Sequence, residues 1–183
     1  MIHEAASARS KSDRMLPPPS SASIPSLSQL NLVPVLERSR ARRALSDTRY
    51  RNAESFFLAI EERLFSDTSH LLYQTGIVTQ LALTSHLLDV GFDDRWCARY
   101  IGLHIDKALA YANATGLNYH SPALERLAAV LSPYSVWRNP DLDDSRPPVP
   151  KLLPDIPLLL RDLLDHVRGV TGHPRPRRSK AHG

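Results

Sequence analysis

Residues 68–90 read TSHLLYQTGIVTQLALTSHLLDV, and no formal charge falls between Asp67 and Asp89. At 100° per residue, Leu71, Leu72, Ile77, Val78, Leu81, Leu83, Leu87, Leu88 and Val90 spread around the whole helix axis, separated by Thr, Ser, Gln and His. A helix that is apolar on every side is a buried one. Ser66–Asp67 supplies an N-cap signal, and Gly91 stands where a left-handed C-terminal residue belongs. The stretch therefore predicts a buried helix in an all-α domain, a compact bundle of four helices. It is not a membrane span: the uncharged run Thr68–Leu88 holds ten polar side chains, whereas a bilayer helix needs about 20 predominantly apolar residues.

Three more helices are expected around it. The first runs over about 48–65, capped by Ser46 or Asp47, with Ala53, Phe56, Phe57, Ile60 and Leu64 on one face and Glu54, Glu61 and Glu62 off it. The third runs over about 94–115, between the cap Asp93 and Gly116. One of its faces carries Ala98, Ile101, Gly102, Ile105, Leu109 and Ala112. A second stripe carries Trp96, Tyr100, Leu103, His104, Lys107 and Tyr111. The fourth, about 122–132, begins at the favoured Ser121–Pro122 pair.

Proline marks the outer limits: none of the 15 prolines lies between Pro34 and Pro122. Residues 1–45 form a Pro/Ser-rich, basic arm expected to be flexible, and 46–135 form the helical domain. Residues 136–154 make a Pro-rich linker, 155–169 an amphipathic helix and 170–183 a basic tail also expected to be disordered. The amphipathic helix, about 155–168, carries Leu159, Leu160, Leu163, Leu164 and Val167 in one stripe, a surface for docking in cis or onto a partner. Its L-x-x-L-L match, Leu160 to Leu164, adds nothing, because any Leu-rich amphipathic helix produces one.

Charge is distributed unevenly. Seven basic and three acidic groups fall in residues 1–46 and eight and six in 141–183, against eight and ten in 47–140. The excess basicity behind the net charge of +4 lies in the arms. Arg38, Arg40, Arg42 and Arg43 form one cluster, and Arg175, Arg177, Arg178 and Lys180 a second. Either can neutralise phosphates, but neither is interleaved with aromatics for base stacking.

Motifs for chemistry are missing. The glycines make no phosphate loop, and there is no G-x-S-x-G, H-E-x-x-H or cysteine pair. The single Cys97 lies in a helical pattern as a small hydrophobe, and one cysteine fits a reducing compartment. With no apolar h-region in the first fifteen residues, the expected location is the cytoplasm. His70 and His86 project about 160° apart on one helix and cannot share a metal ion, and His3, His173 and His182 fall in the arms, so no metal site or cofactor is expected. A helix-turn-helix through Gly91 would place Asp93 and Asp94 against phosphate. At i, i+4, i+7 and i+11 of the third helix, Tyr100, His104, Lys107 and Tyr111 line one ridge, suited to a groove or to packing.

The sequence therefore predicts a non-catalytic helical module for protein–protein interaction or regulation. Its second and third helices need cover from the fifth or from a second copy of the chain. A nucleic-acid-associated accessory protein gripping phosphates with its arms is the alternative, and a small-ligand binder or enzyme the third.

Overall fold

The structure, a computed structural model, describes residues 35–62, 64, 65, 67–139, 148, 153 and 155–174. Among them are six α-helices: α1 (Arg40–Glu61), α2 (Thr68–Val90), α3 (Asp94–Tyr100), α4 (Ile105–Ala114), α5 (Pro122–Val130) and α6 (Ile156–Thr171). A 3-10 turn, Tyr134–Trp137, follows α5. The all-α class is as expected, and no described helix is long and apolar enough to cross a membrane.

α2 is the hub, packed against α1, α4, α6 and the 3-10 turn. Every residue from Ala82 to Leu88 is buried, as are Leu72, Thr75, Val78 and Thr79. The hydroxyls survive this burial because they bond their own helix. Thr75 donates to Leu71 O at 2.7 Å, Thr79 to Thr75 O at 2.8 Å, Thr84 to Gln80 O at 2.7 Å and Ser85 to Ala82 O at 2.7 Å. A buried hydroxyl costs free energy only while unpaired, so a helix rich in Thr and without charge from Thr68 to Leu88 can serve as a core element. Asp67 caps its start by accepting from His70 N, and Gly91, at φ +113°, ends it.

Two helices differ from expectation. α1 begins at Arg40, eight residues before the expected start, because Ser39 is the cap and accepts from Arg42 N. Nothing in Arg40–Asp47 breaks a helix, so Ser46 and Asp47 lie inside α1 and the arm expected to end at 45 gives way to helix earlier. α1 also stops at Glu61, and Leu64, assigned to its apolar face, is exposed. The expected third helix is two, α3 and α4, separated by a turn at 101–104. Gly102 takes φ +57°, a conformation that costs other residues dearly, and Gln80 of α2 donates to its carbonyl at 2.8 Å. The turn's carbonyls thus find partners outside their own helix.

The core also extends past residue 135. Trp137 is fully buried, its indole N–H donating to Val130 O at 3.0 Å. Gly76 makes room for this turn: a Cβ there would stand 2.4 Å from Tyr134 Cβ. α6 then returns to pack on α1 and α2, with Leu160, Leu163, Leu164 and Val167 inaccessible to solvent and Leu159 half-buried. The docking stripe is occupied in cis, so the bare apolar surface that suggested a second copy on α2 is covered by the chain's own helix. Nη1 of Arg161 of α6 donates to both carboxylate oxygens of Glu54, at 3.0 and 3.1 Å, and Tyr50 donates to the same carboxylate at 2.7 Å.

Candidate functional site: a basic cleft at one pole

The N-terminus of α1, the C-terminal end of α2 and the C-terminal end of α6 meet around a cleft of about 770 Å³. Arg38, Ser39, Arg40, Arg43, Asp47, Asp89, His173 and Pro174 are among its lining residues. The ends meet because α6 is tied to α1 at both of its termini. Near its start, Glu54 holds Arg161; near its end, Arg43 donates to Thr171 O at 2.7 Å and to the Asp89 carboxylate. A cation on the last carbonyls of a helix also complements its dipole.

The four arginines of the first cluster divide into two kinds. Arg42 and Arg43 are fasteners. Arg42 donates to Gly91 O at 3.0 Å and to Glu37 O, and it lies 4.0 Å from Asp93. Arg38 and Arg40 are exposed and have no acidic partner among the described residues. The two carboxylates of the cleft are already matched, Asp89 by Arg43 and Asp47 by Arg51. Arg38 and Arg40 therefore leave the cleft with a positive excess beside a helix N-terminus, where the backbone also favours anions.

The second basic cluster, Arg175, Arg177, Arg178 and Lys180, lies outside the described residues, but Arg175 directly follows Pro174, which lines this cleft. The end of α6 thus lies against the start of α1. Sequence reasoning missed this, since nothing in the spacing says that α6 ends against the start of α1.

His173, set aside as an arm residue, is only 3% exposed. Its ring stacks on Tyr50 with centroids 5.5 Å apart. Its Nε2 lies 2.7 Å from Ser46 Oγ, and its Nδ1 lies 3.7 Å from Asp47 Oδ1. The set resembles a nucleophilic Ser–His–Asp arrangement in composition but not in direction. Ser46 is 0% exposed, and its one proton goes to Ser85 O at 2.6 Å, so its oxygen accepts from Nε2–H. A hydroxyl that is sealed off and bonded away from the imidazole is not a nucleophile. His173 Nδ1 and Asp47 Oδ1 are left facing each other, both buried and neither with a hydrogen-bond partner.

The remaining sequence candidates do not assemble. The break at 101–104 ends the ridge of Tyr100, His104, Lys107 and Tyr111. Tyr111 is buried against Phe92 and Trp96, Trp96 packs on Tyr100, His104 lies 3.9 Å from Asp106, and Lys107 is exposed. Cys97 is buried, and burial pushes its thiol up to about 12, which keeps it protonated and inert. Among the described residues no group of three or more His, Cys, Asp or Glu is placed to hold a metal ion.

A second concavity, about 430 Å³, lies between α1, α2 and the 101–104 turn. Phe56 and Leu103, 42% and 43% exposed, border it with Ile77, Leu81 and Tyr134, and Arg49 meets Asp94 there at 3.0 Å. Phe56 was expected on the inward face. α1 instead buries Tyr50, Ala53, Glu54, Phe57 and Ile60, which rotates Phe56 to the edge.

Fold and cleft together define an all-α protein with a basic pole. Comparison with protein-family models, with curated proteins and with solved structures finds no significant match to the chain.

Proposed function

We propose that this protein is a non-catalytic helical binding module whose basic pole takes the phosphodiester backbone of a nucleic acid. One observation carries this reading: Arg38 and Arg40 stand exposed at this cleft with no acidic partner among the described residues. Folding back of α6 also covers, on α2, part of the helical surface that favoured a protein partner. A concave basic cleft suits a phosphate strand better than a lipid surface, which needs a broad apolar face. The lone buried thiol suits the cytoplasm.

Fluorescence anisotropy with a mixed-sequence DNA duplex tests the reading. Affinity should fall steeply between about 50 and about 200 mM salt, with a log–log slope near −0.9 per phosphate contacted. Arg38→Gln with Arg40→Gln should flatten that slope by about two units, and replacing the four tail cations should flatten it further. Absence of binding at low salt, a slope indifferent to these changes, or preference for anionic vesicles over the duplex contradicts it.

The apolar groove favours a second reading, a site for a protein partner or a second copy of this chain. Its support is Phe56 and Leu103 standing exposed over Ile77, Leu81 and Tyr134. Sedimentation over a range of concentrations should then show association that Phe56→Asp abolishes. A concentration-independent monomer argues against self-association.

A further inference from the structure

We infer that the basic cleft binds nucleic-acid phosphate with uptake of a proton, which comes to rest between His173 Nδ1 and Asp47 Oδ1. The inference rests on the reading of the cleft given above and adds to it the linkage of ligand to proton. Its first ground is hydrogen-bond direction. Ser46 Oγ has one proton and spends it on Ser85 O at 2.6 Å, so the imidazole must donate through Nε2, 2.7 Å away. In the neutral ring, Nδ1 is then an acceptor, and it faces another acceptor, Asp47 Oδ1, at 3.7 Å. Both atoms are sealed from solvent without a partner. A single added proton satisfies both, turning a pair of opposed lone pairs into a charge-assisted hydrogen bond.

The second ground is what holds that proton off in the free protein. Burial disfavours the imidazolium, and the nearby Arg43 guanidinium repels it; both lower the histidine's affinity for a proton. The other groups around the ring are Asp47, Arg51 and Tyr50 of α1 and Asp89 of α2. Asp47 and Asp89 favour the proton, but Arg51 and Arg43 bind those same carboxylates and blunt them. A phosphate held by Arg38 and Arg40 brings negative charge into the same cleft and offsets the field of its arginines. The proton then enters, and ligand and proton bind with positive coupling, each raising the affinity of the other.

The test is calorimetric titration of the full chain with a short mixed-sequence DNA duplex, at one neutral pH in buffers of different ionisation enthalpy. The apparent binding enthalpy should vary with the buffer in the sense of proton uptake, and affinity should rise on acidification by up to about tenfold per pH unit. His173→Gln keeps an amide donor for Ser46 and should bind the duplex with that component of the uptake gone. Asp47→Asn removes the other end of the pair and should reduce it as well. In case either variant folds poorly, ¹⁵N signals of the wild-type ring give an independent reading. Nδ1 should carry a free lone pair without duplex and a proton with it. Duplex binding without proton uptake, uptake unchanged in His173→Gln, or a ring whose Nδ1 does not change overturns the inference and leaves the cleft reading standing. Failure of the duplex to bind at low salt overturns both.

Discussion

Glu54 lies off the apolar stripe of its helix by spacing, yet it is only 6% exposed, with Tyr50 and Arg161 both donating to its carboxylate. Arg161 in turn stacks over Phe57, 4.3 Å from the ring centroid. The pair joins residues 107 positions apart, so no local pattern could announce it. Removing one member of a buried pair leaves the other uncompensated. Glu54→Ala should therefore cost about 3 kcal/mol, the lower end for such losses because Arg161 keeps some solvent contact. Denaturant unfolding checks this, and Glu54→Leu with Arg161→Met should recover most of the loss. Two buried histidines set a second expectation at this scale. Burial holds His86, and burial with Arg43 holds His173, below the ordinary imidazole value of 6.5. The folded protein then binds fewer protons than the unfolded chain below that value. Their contribution to stability is present above pH 6.5 and is lost as pH falls through the depressed folded-state values. Unfolding midpoints should decline on acidification below about pH 6.5, and His86→Gln should make the decline shallower.

At the scale of elements, the central helix was the most legible part of the chain. Its all-round apolar pattern, its cap at Asp67 and its end at Gly91 all correspond to structure. The breaks were less legible because their causes are tertiary. α3 and α4 carry one continuous helical periodicity, and what interrupts it is Gly102 held by Gln80 from another helix. The start of α1 was obscured by a second good cap signal: Ser46 looks like an N-cap but spends its hydroxyl on Ser85 of α2. Of the candidate site residues, the arginine clusters were visible as composition. The cleft that the first cluster borders was not, nor was that cluster's division into Arg42 and Arg43, which are paired, and Arg38 and Arg40, which have no acidic partner among the described residues. Gly76 provides a test at this scale. Alanine in a helix interior is worth about 1 kcal/mol over glycine, but here its Cβ would meet Tyr134 at 2.4 Å. Overpacking costs about 1–3 kcal/mol, so Gly76→Ala should lower the thermal midpoint despite its better propensity. A raised midpoint would mean that the 3-10 turn does not pack closely on α2.

For the whole molecule, the decisive feature is closure by α6. It covers α1 and α2, places Tyr119 against Asp162 at 2.7 Å, lets His166 donate to Leu117 O at 2.7 Å, and delivers His173 and Pro174 to the start of α1. Without it, the faces of α1 and α2 that meet Leu160, Leu163, Leu164 and Val167 would open to water, and a chain ending at residue 154 should aggregate or lose cooperative unfolding. The basic cleft depends on the same closure, since the docked α6 supplies His173 and Pro174 to its lining. Amide hydrogen exchange on the full-length chain tests that closure most directly. The amides of Leu163 to Val167 should exchange as slowly as those of Leu83 to Leu88, both opening only with global unfolding. Fast exchange across 163–167 beside a protected α2 would contradict that closure, leaving α6 a separate element and the cleft without the wall that His173 and Pro174 supply.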